Sequence, residues 1–176
     1  MKKVTIILAI IMFFVLNDSS NASIIIPNDA IRVRVIANSN EQNDIKVKET
    51  LKTDIQPTIY TLLKDVKSIE DARKIIEENL PNIDVEIKRS LKRQDYNKNY
   101  SINFGMNYFP EKEFKGIIYE EGYYESLVIT IGEGKGDNWW CVLFPPLCML
   151  EFDEVEKTDI EYQTFVGEIL NKYIKN

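Results

Sequence analysis

Histidine is missing from all 176 residues. That removes the Ser-His-Asp and Cys-His nucleophile systems and the commonest metal ligand. The two cysteines, Cys141 and Cys148, therefore have no imidazole to activate them, and two cysteines without histidine make a poor zinc site. The run Gly132-Glu133-Gly134-Lys135-Gly136 has the glycine density of a phosphate loop. It lacks the wider glycine spacing and the Gly-Lys-Ser/Thr ending, and reads instead as a flexible turn. What remains is carboxylate chemistry. Glu120, Glu121, Glu125 and Glu133 lie close in sequence to two tryptophans that could stack on a sugar. A secreted cell-wall hydrolase could be built on such a set, given two carboxylates at a fixed separation and one raised pKa. In so acidic a chain the same groups are ordinary solvated charges. The residues favour a protein with no catalytic group, no metal and no cofactor.

The densest signal is Ile131–Cys148, IGEGKGDNWWCVLFPPLC. Three glycines stand at alternate positions, and Trp139 and Trp140 are the chain's only tryptophans. In a strand, neighbouring side chains point to opposite faces, so one indole can fill the core while the other lies outside. Either both are buried, or one is an interface anchor of the kind tryptophan often supplies. Three glycines in seven residues suit backbone that bends sharply or lies close to another surface. The candidate partner-binding set is therefore Gly132, Glu133, Gly134, Gly136, Asp137, Asn138, Trp139 and Trp140. Pro145-Pro146 can turn the chain so that Cys141 and Cys148 meet. A loop that short adds roughly 2.5 kcal/mol in the chain-entropy model. Two buried thiols acting as small hydrophobes are the other possibility.

The elements that must position this segment follow from periodicity. Residues 30–37 (AIRVRVIA) alternate, with Ile31, Val33 and Val35 on one face and Arg32 and Arg34 on the other, as in a half-buried strand. Ser39 or Asn40 can cap the helix that follows, whose apolar stripe includes Val47, Leu51, Ile55, Ile59 and Leu63. Pro57 should kink or restart it. Ser68, with Asp71 three residues on, opens a second helix through Ala72, Ile76 and Leu80. Pro81 should stop that one, leaving a third helix to carry Ile83, Ile87 and Leu91. After Tyr96 the pattern changes to strands: Ile102–Tyr108, Ile117–Tyr119, Leu127–Ile131 and Trp139–Phe144. A turn is expected at Glu120-Glu121-Gly122, and a helical period returns from Asp159 to Ile174. The expected fold is a single α+β domain over residues 28–176, with helices packed on one face of a mainly antiparallel sheet.

The first 22 residues have a different character. Lys2 and Lys3 precede an apolar run from Val4 to Leu16, shorter than the roughly 20 residues a membrane span needs. Ser20 and Ala22 are small residues at the positions a signal peptidase reads. Residues 1–22 are expected to be a signal peptide, or a retained N-terminal membrane segment, touching the membrane during export. Without them the chain has 20 basic and 27 acidic residues, a net charge near −7, which disfavours nucleic acid as a partner.

Two stretches resemble the stage II sporulation protein R family. One is Gly132 to Cys148, which is similar to the family's long signature. The other is Ile31-Arg32-Val33-Arg34-Val35-Ile36-Ala37-Asn38-Ser39, similar to its first strand and Ala-Asn-Ser turn. Tyr119, Gly122, Tyr124, Glu125, Leu127 and Ile129-Thr130-Ile131 fit the stretch between them. The chain departs from the family pattern at Asn40, at Glu120-Glu121 and at Ser126, and no basic residue follows Gly105. The resemblance implies a sporulation signal, exported from the forespore into the space between the two membranes. There it would activate a membrane-embedded aspartic protease of the mother cell, which cleaves the precursor of an early mother-cell sigma factor.

Overall fold

The computed structural model describes residues 24–25, 30–114, 117–147, 167–169 and 171–172. The N-terminal segment read as a signal lies outside them, as does Cys148. Among the described residues no helix is long and apolar enough to cross a membrane.

Among the described residues nine elements carry the fold. In chain order they are β1 (Ile24–Ile25), β2 (Ile31–Ile36), α1 (Gln42–Leu63), α2 (Ile69–Arg93), β3 (Tyr100–Phe109), β4 (Lys112–Phe114), β5 (Ile117–Tyr119), β6 (Gly122–Ile131) and β7 (Asn138–Phe144). Four strands form the main sheet in the order β3-β6-β2-β7, and three short ones form a second sheet, β1-β5-β4. In the main sheet β2 runs parallel to β6, while β7 pairs antiparallel with β2 and β3 antiparallel with β6. The expected α+β architecture holds. The turn at Glu120-Glu121 is present, but it leads from the second sheet into the main one rather than closing a hairpin.

The core follows from the alternation of β2. Ile31, Val33 and Val35 are buried against Leu127, Ile129 and Ile131 of β6 and against the inner stripes of both helices. Those stripes run Val47, Leu51, Ile55, Ile59 and Leu63 on α1, and Ala72, Ile76, Ile83, Ile87 and Leu91 on α2. Neither proline breaks its helix: α1 contains Pro57 and α2 contains Pro81, so the expected third helix is the second half of α2. Both prolines are exposed, and so are Thr53 and Glu77, the residues four positions earlier whose carbonyls lose a partner. Water can satisfy those carbonyls, and the buried stripe continues on the opposite side of each helix.

The two helix starts differ. Ser68 caps α2 as expected, its Oγ accepting from Asp71 N at 3.1 Å. At α1 the cap position is Glu41, with no side-chain cap bond. Ser39 and Asn40 are used elsewhere. In the predicted C-terminal helix the described residues 167–169 and 171–172 are helical.

Candidate interaction site

The signature loop and the Ala-Asn-Ser turn, nearly a hundred residues apart in sequence, are joined by direct bonds. Asn38 Oδ1 accepts from Glu133 N at 3.0 Å, and Asn40 Oδ1 accepts from Asp137 N at 2.7 Å. In the same direction, Lys135 N donates to Asn38 O at 3.0 Å and Gly136 N to Ala37 O at 2.9 Å, and in return Ala37 N donates to Asp137 O at 3.3 Å. Gly132 N donates to Asn99 O at 2.7 Å, tying the loop to the residue before β3.

Two of the three glycines are explained by this contact. Gly132 has φ 56°, and a Cβ there would stand on Asn38 Oδ1. A Cβ at Gly136 would stand on the Ser39 carbonyl oxygen and 2.8 Å from Ala37 Cβ. The close surface that the glycine pattern announced is therefore the chain's own turn. What the loop leaves exposed is charged: Glu133, Lys135 and Asp137, with Lys135 Nζ 2.7 Å from Glu133 Oε2.

Asp44, in the first turn of α1, holds the turn from the other side. Its carboxylate accepts from Asn38 Nδ2 at 2.5 Å, Ser39 Oγ at 2.6 Å and Tyr96 OH at 2.6 Å. Asn38, Ser39 and Tyr96 together hold its pKa down to about 2, with Lys98 adding a smaller pull in the same direction. Burial and the same carboxylate push the Tyr96 phenol up. Asp44 fits no motif and was not singled out from sequence; its place in the first turn of a helix, where acids are common, hid it.

The two tryptophans point to opposite faces, as strand geometry requires. Trp139 lies opposite Val35 and packs on the helix-side core, with Lys52 Nζ 5.0 Å from its ring centroid. Trp140 lies opposite Arg34 on the other face. Its ring meets Phe109 edge-on at 5.3 Å and has the Arg34 guanidinium at 5.6 Å and Lys112 Nζ at 5.0 Å. Both are half-buried.

That second face corrects the reading of β2 as half-buried. Arg32 is only 2% exposed. Its Cζ lies 3.3 Å from the Tyr124 ring centroid, 5.5 Å from that of Phe109 and 5.8 Å from that of Tyr119, so the second sheet and the β3 end close over it. Among the described residues none of its three guanidinium nitrogens has a hydrogen-bond partner within bonding geometry. Burial pulls its pKa below the ordinary arginine range. A desolvated guanidinium held only by ring faces gains cation–π energy of about 2 kcal/mol and loses several in hydration. Arg32→Met should therefore fold within about 1 kcal/mol of the parent. Arg32→Lys, which keeps the charge and loses the flat stacking surface, should be clearly less stable. Urea unfolding of the two variants checks the order, and a lysine variant at least as stable as the methionine variant would refute this account of Arg32.

Three of the four glutamates weighed for hydrolysis have partners of their own. Glu125 is bound by Arg73 through two bonds of 2.5 and 2.8 Å, Glu121 accepts from Tyr108 OH at 3.1 Å, and Lys135 lowers the Glu133 pKa. Among the described residues no group of three His, Cys, Asp or Glu side chains could hold a metal. Cys141 is disulfide-bonded, and Cys148 is the only other cysteine in the sequence. The unreduced, folded protein should therefore show no titratable thiol. Two free thiols would show that the pair is not closed.

The sequence profile of stage II sporulation protein R matches residues 27–154. Stage II sporulation protein R of Bacillus subtilis (strain 168) is 41% identical over 138 residues, covering 78% of this chain and 62% of its relative. The chain thus spans less than two thirds of that relative's length. No solved structure matches. Both joined stretches, the turn at Ala37–Asn40 and the loop at Gly132–Gly136, fall inside the matched region, and with the profile covering most of its length the chain belongs to the stage II sporulation protein R family.

Proposed function

We propose that this protein is an exported signal that acts by contact, activating a membrane-embedded aspartic protease of the mother cell and so leading to processing of a sigma-factor precursor. It performs no catalysis of its own. Family membership carries the reading. Three features support it: a histidine-free sequence, a short apolar N-terminal run with a small-residue exit, and a domain in which hydrogen bonds hold the Asp44, Asp84 and Glu133 carboxyls below the ordinary range, away from what a general acid needs.

Two measurements test it. N-terminal sequencing of exported protein should begin at or near Ser23; protein still starting at Met1 and held in the membrane would mean that the segment is a retained anchor. The exported protein should bind the outer portion of the protease and switch on cleavage of the precursor in a reconstituted membrane. Cleavage at the same rate with and without the protein would remove the proposal.

A further inference from the structure

β3 is the outer strand of the main sheet, and among the described residues nothing pairs with its free edge. It is ten residues long and keeps unbroken register with β6, from Tyr100 opposite Ile131 to Phe109 opposite Gly122. Its sequence, YSINFGMNYF, has no charged residue and no proline. Exposed edges of folded proteins are normally blunted by lysine, proline, a bulge or a cover, because a bare edge recruits other strands. Among the described residues this one has none of these within its length.

The last part of the strand is also apolar on its surface. Met106 is 65% exposed, Tyr108 47%, and Tyr123, opposite Tyr108 on β6, 70%. They are three of the five exposed large hydrophobic side chains among the described residues. All three continue the face that the helices cover further along. Ile102 and Phe104 on β3 still pack on the core, whereas Met106 and Tyr108 stand clear. Tyr108 and Tyr123 meet edge to face at 5.6 Å.

The surroundings are mainly acidic, with four glutamates around one exposed lysine, Lys112. Glu111 and Glu113 follow the strand, and Glu120 and Glu121 precede β6. All four are exposed, and none has an ion-pair partner among the described residues. At the other end of β3 the lysines are occupied: Lys88 is 2.5 Å from Asp84, and Lys98 is 3.9 Å from Asp44.

We propose that the β3 edge is the docking strand of this protein, and that its occupant is an extended segment of a partner polypeptide. That segment lays apolar side chains on Met106, Tyr108 and Tyr123 and brings basic residues to Glu111, Glu113, Glu120 and Glu121. Main-chain bonds along the edge give affinity, and the charged end gives register and partner choice. A second copy of this chain fits less well, since it carries the same four glutamates and a net charge of −6. The edge begins beside the signature loop, through the Gly132–Asn99 bond, so the loop would border the docked strand rather than bind it. This inference rests on the contact-signal reading and names its surface.

Amide exchange of the exported protein tests it with a defined probe: a peptide of alternating valine and threonine ending in lysines, against the same peptide ending in glutamates. The lysine peptide should slow exchange along β3, and the glutamate peptide should not. Met106→Lys, and separately Glu120→Lys with Glu121→Lys, should weaken the lysine peptide by roughly tenfold without shifting the thermal midpoint. Val85→Lys, at an exposed site on α2, should change nothing. The proposal is overturned if both peptides bind alike, if neither protects β3, or if protection appears with rising protein concentration alone, which would give the edge to a second copy. Adding the outer portion of the protease separates the two readings. Binding that leaves β3 unprotected removes the edge and keeps the signal. A protein that takes the lysine peptide but never the protease keeps the edge and removes the signal.

Discussion

Gly136→Ala should be among the most damaging single-methyl additions in this protein. The new Cβ would meet the carbonyl oxygen of Ser39 and the Cβ of Ala37, and neither can rotate away. Relief requires the loop and the Ala37–Asn40 turn to separate. That breaks the Gly136 N–Ala37 O and Lys135 N–Asn38 O bonds and strains the side-chain bonds from Asn38 and Asn40. Overpacking of this kind costs about 1–3 kcal/mol, and each lost hydrogen bond adds about 1 kcal/mol, so a loss of about 3–5 kcal/mol is expected. Gly134→Ala is the control. Its Cβ would approach Thr130 Cγ2 at 2.6 Å, a side-chain methyl that can move, so the loss should be smaller despite the φ of 64°. Urea unfolding of both variants gives the comparison. If Gly136→Ala keeps its midpoint and loses only signalling, the glycine serves a partner and not the turn.

Asp44→Ala should cost a similar amount and should also change the acid response. The substitution leaves Asn38 Nδ2, Ser39 Oγ and Tyr96 OH without their shared acceptor in a buried place. Bonds to a charged acceptor are worth about 1.5–3 kcal/mol each, and the freed donors can be rehydrated only in part, so the loss should be about 3–5 kcal/mol. The carboxyl pKa is about 2 in the folded protein, below the ordinary 3.8. A depressed carboxyl stabilises the fold above its unfolded pKa and loses that contribution as pH falls through the folded value. The Asp44 contribution is thus complete above about pH 5 and disappears between about pH 4 and pH 2. Asp44→Asn removes the titrating group while keeping an acceptor. Its stability should fall less than the parent's between pH 5 and pH 2.5. Equal falls in the two proteins would assign the acid sensitivity to other carboxyls, with Asp84, held down by Lys88 and Tyr100, the first to examine.

The readings that survived rest on strong local periodicity. The apolar stripes at three- and four-residue spacing fixed both helices, and the alternation in β2, β3 and β7 fixed their strands. Ser68 was legible as a cap because its partner is three residues away. Pro81 misled because proline reports a missing donor but not the side of the helix on which it is missing. Arg32 misled for a related reason. Alternation says that two residues share a face, not whether another sheet covers it.

The glycine loop divides most clearly. Its spacing in sequence announced that backbone lies close to some surface, since only glycine lacks the Cβ that forbids it. Which surface that is depends on β2 and β6 running parallel and side by side, which brings Ala37–Asn40 and Gly132–Asp137 to the same end of the sheet. Element types, the lack of histidine chemistry and the family follow from the sequence alone. Only the tertiary structure decided which partner each of those residues has, because strand order is set by contacts between segments that no local pattern records. Asp44 under the turn, Arg32 beneath the second sheet and the bare edge of β3 are all consequences of that order.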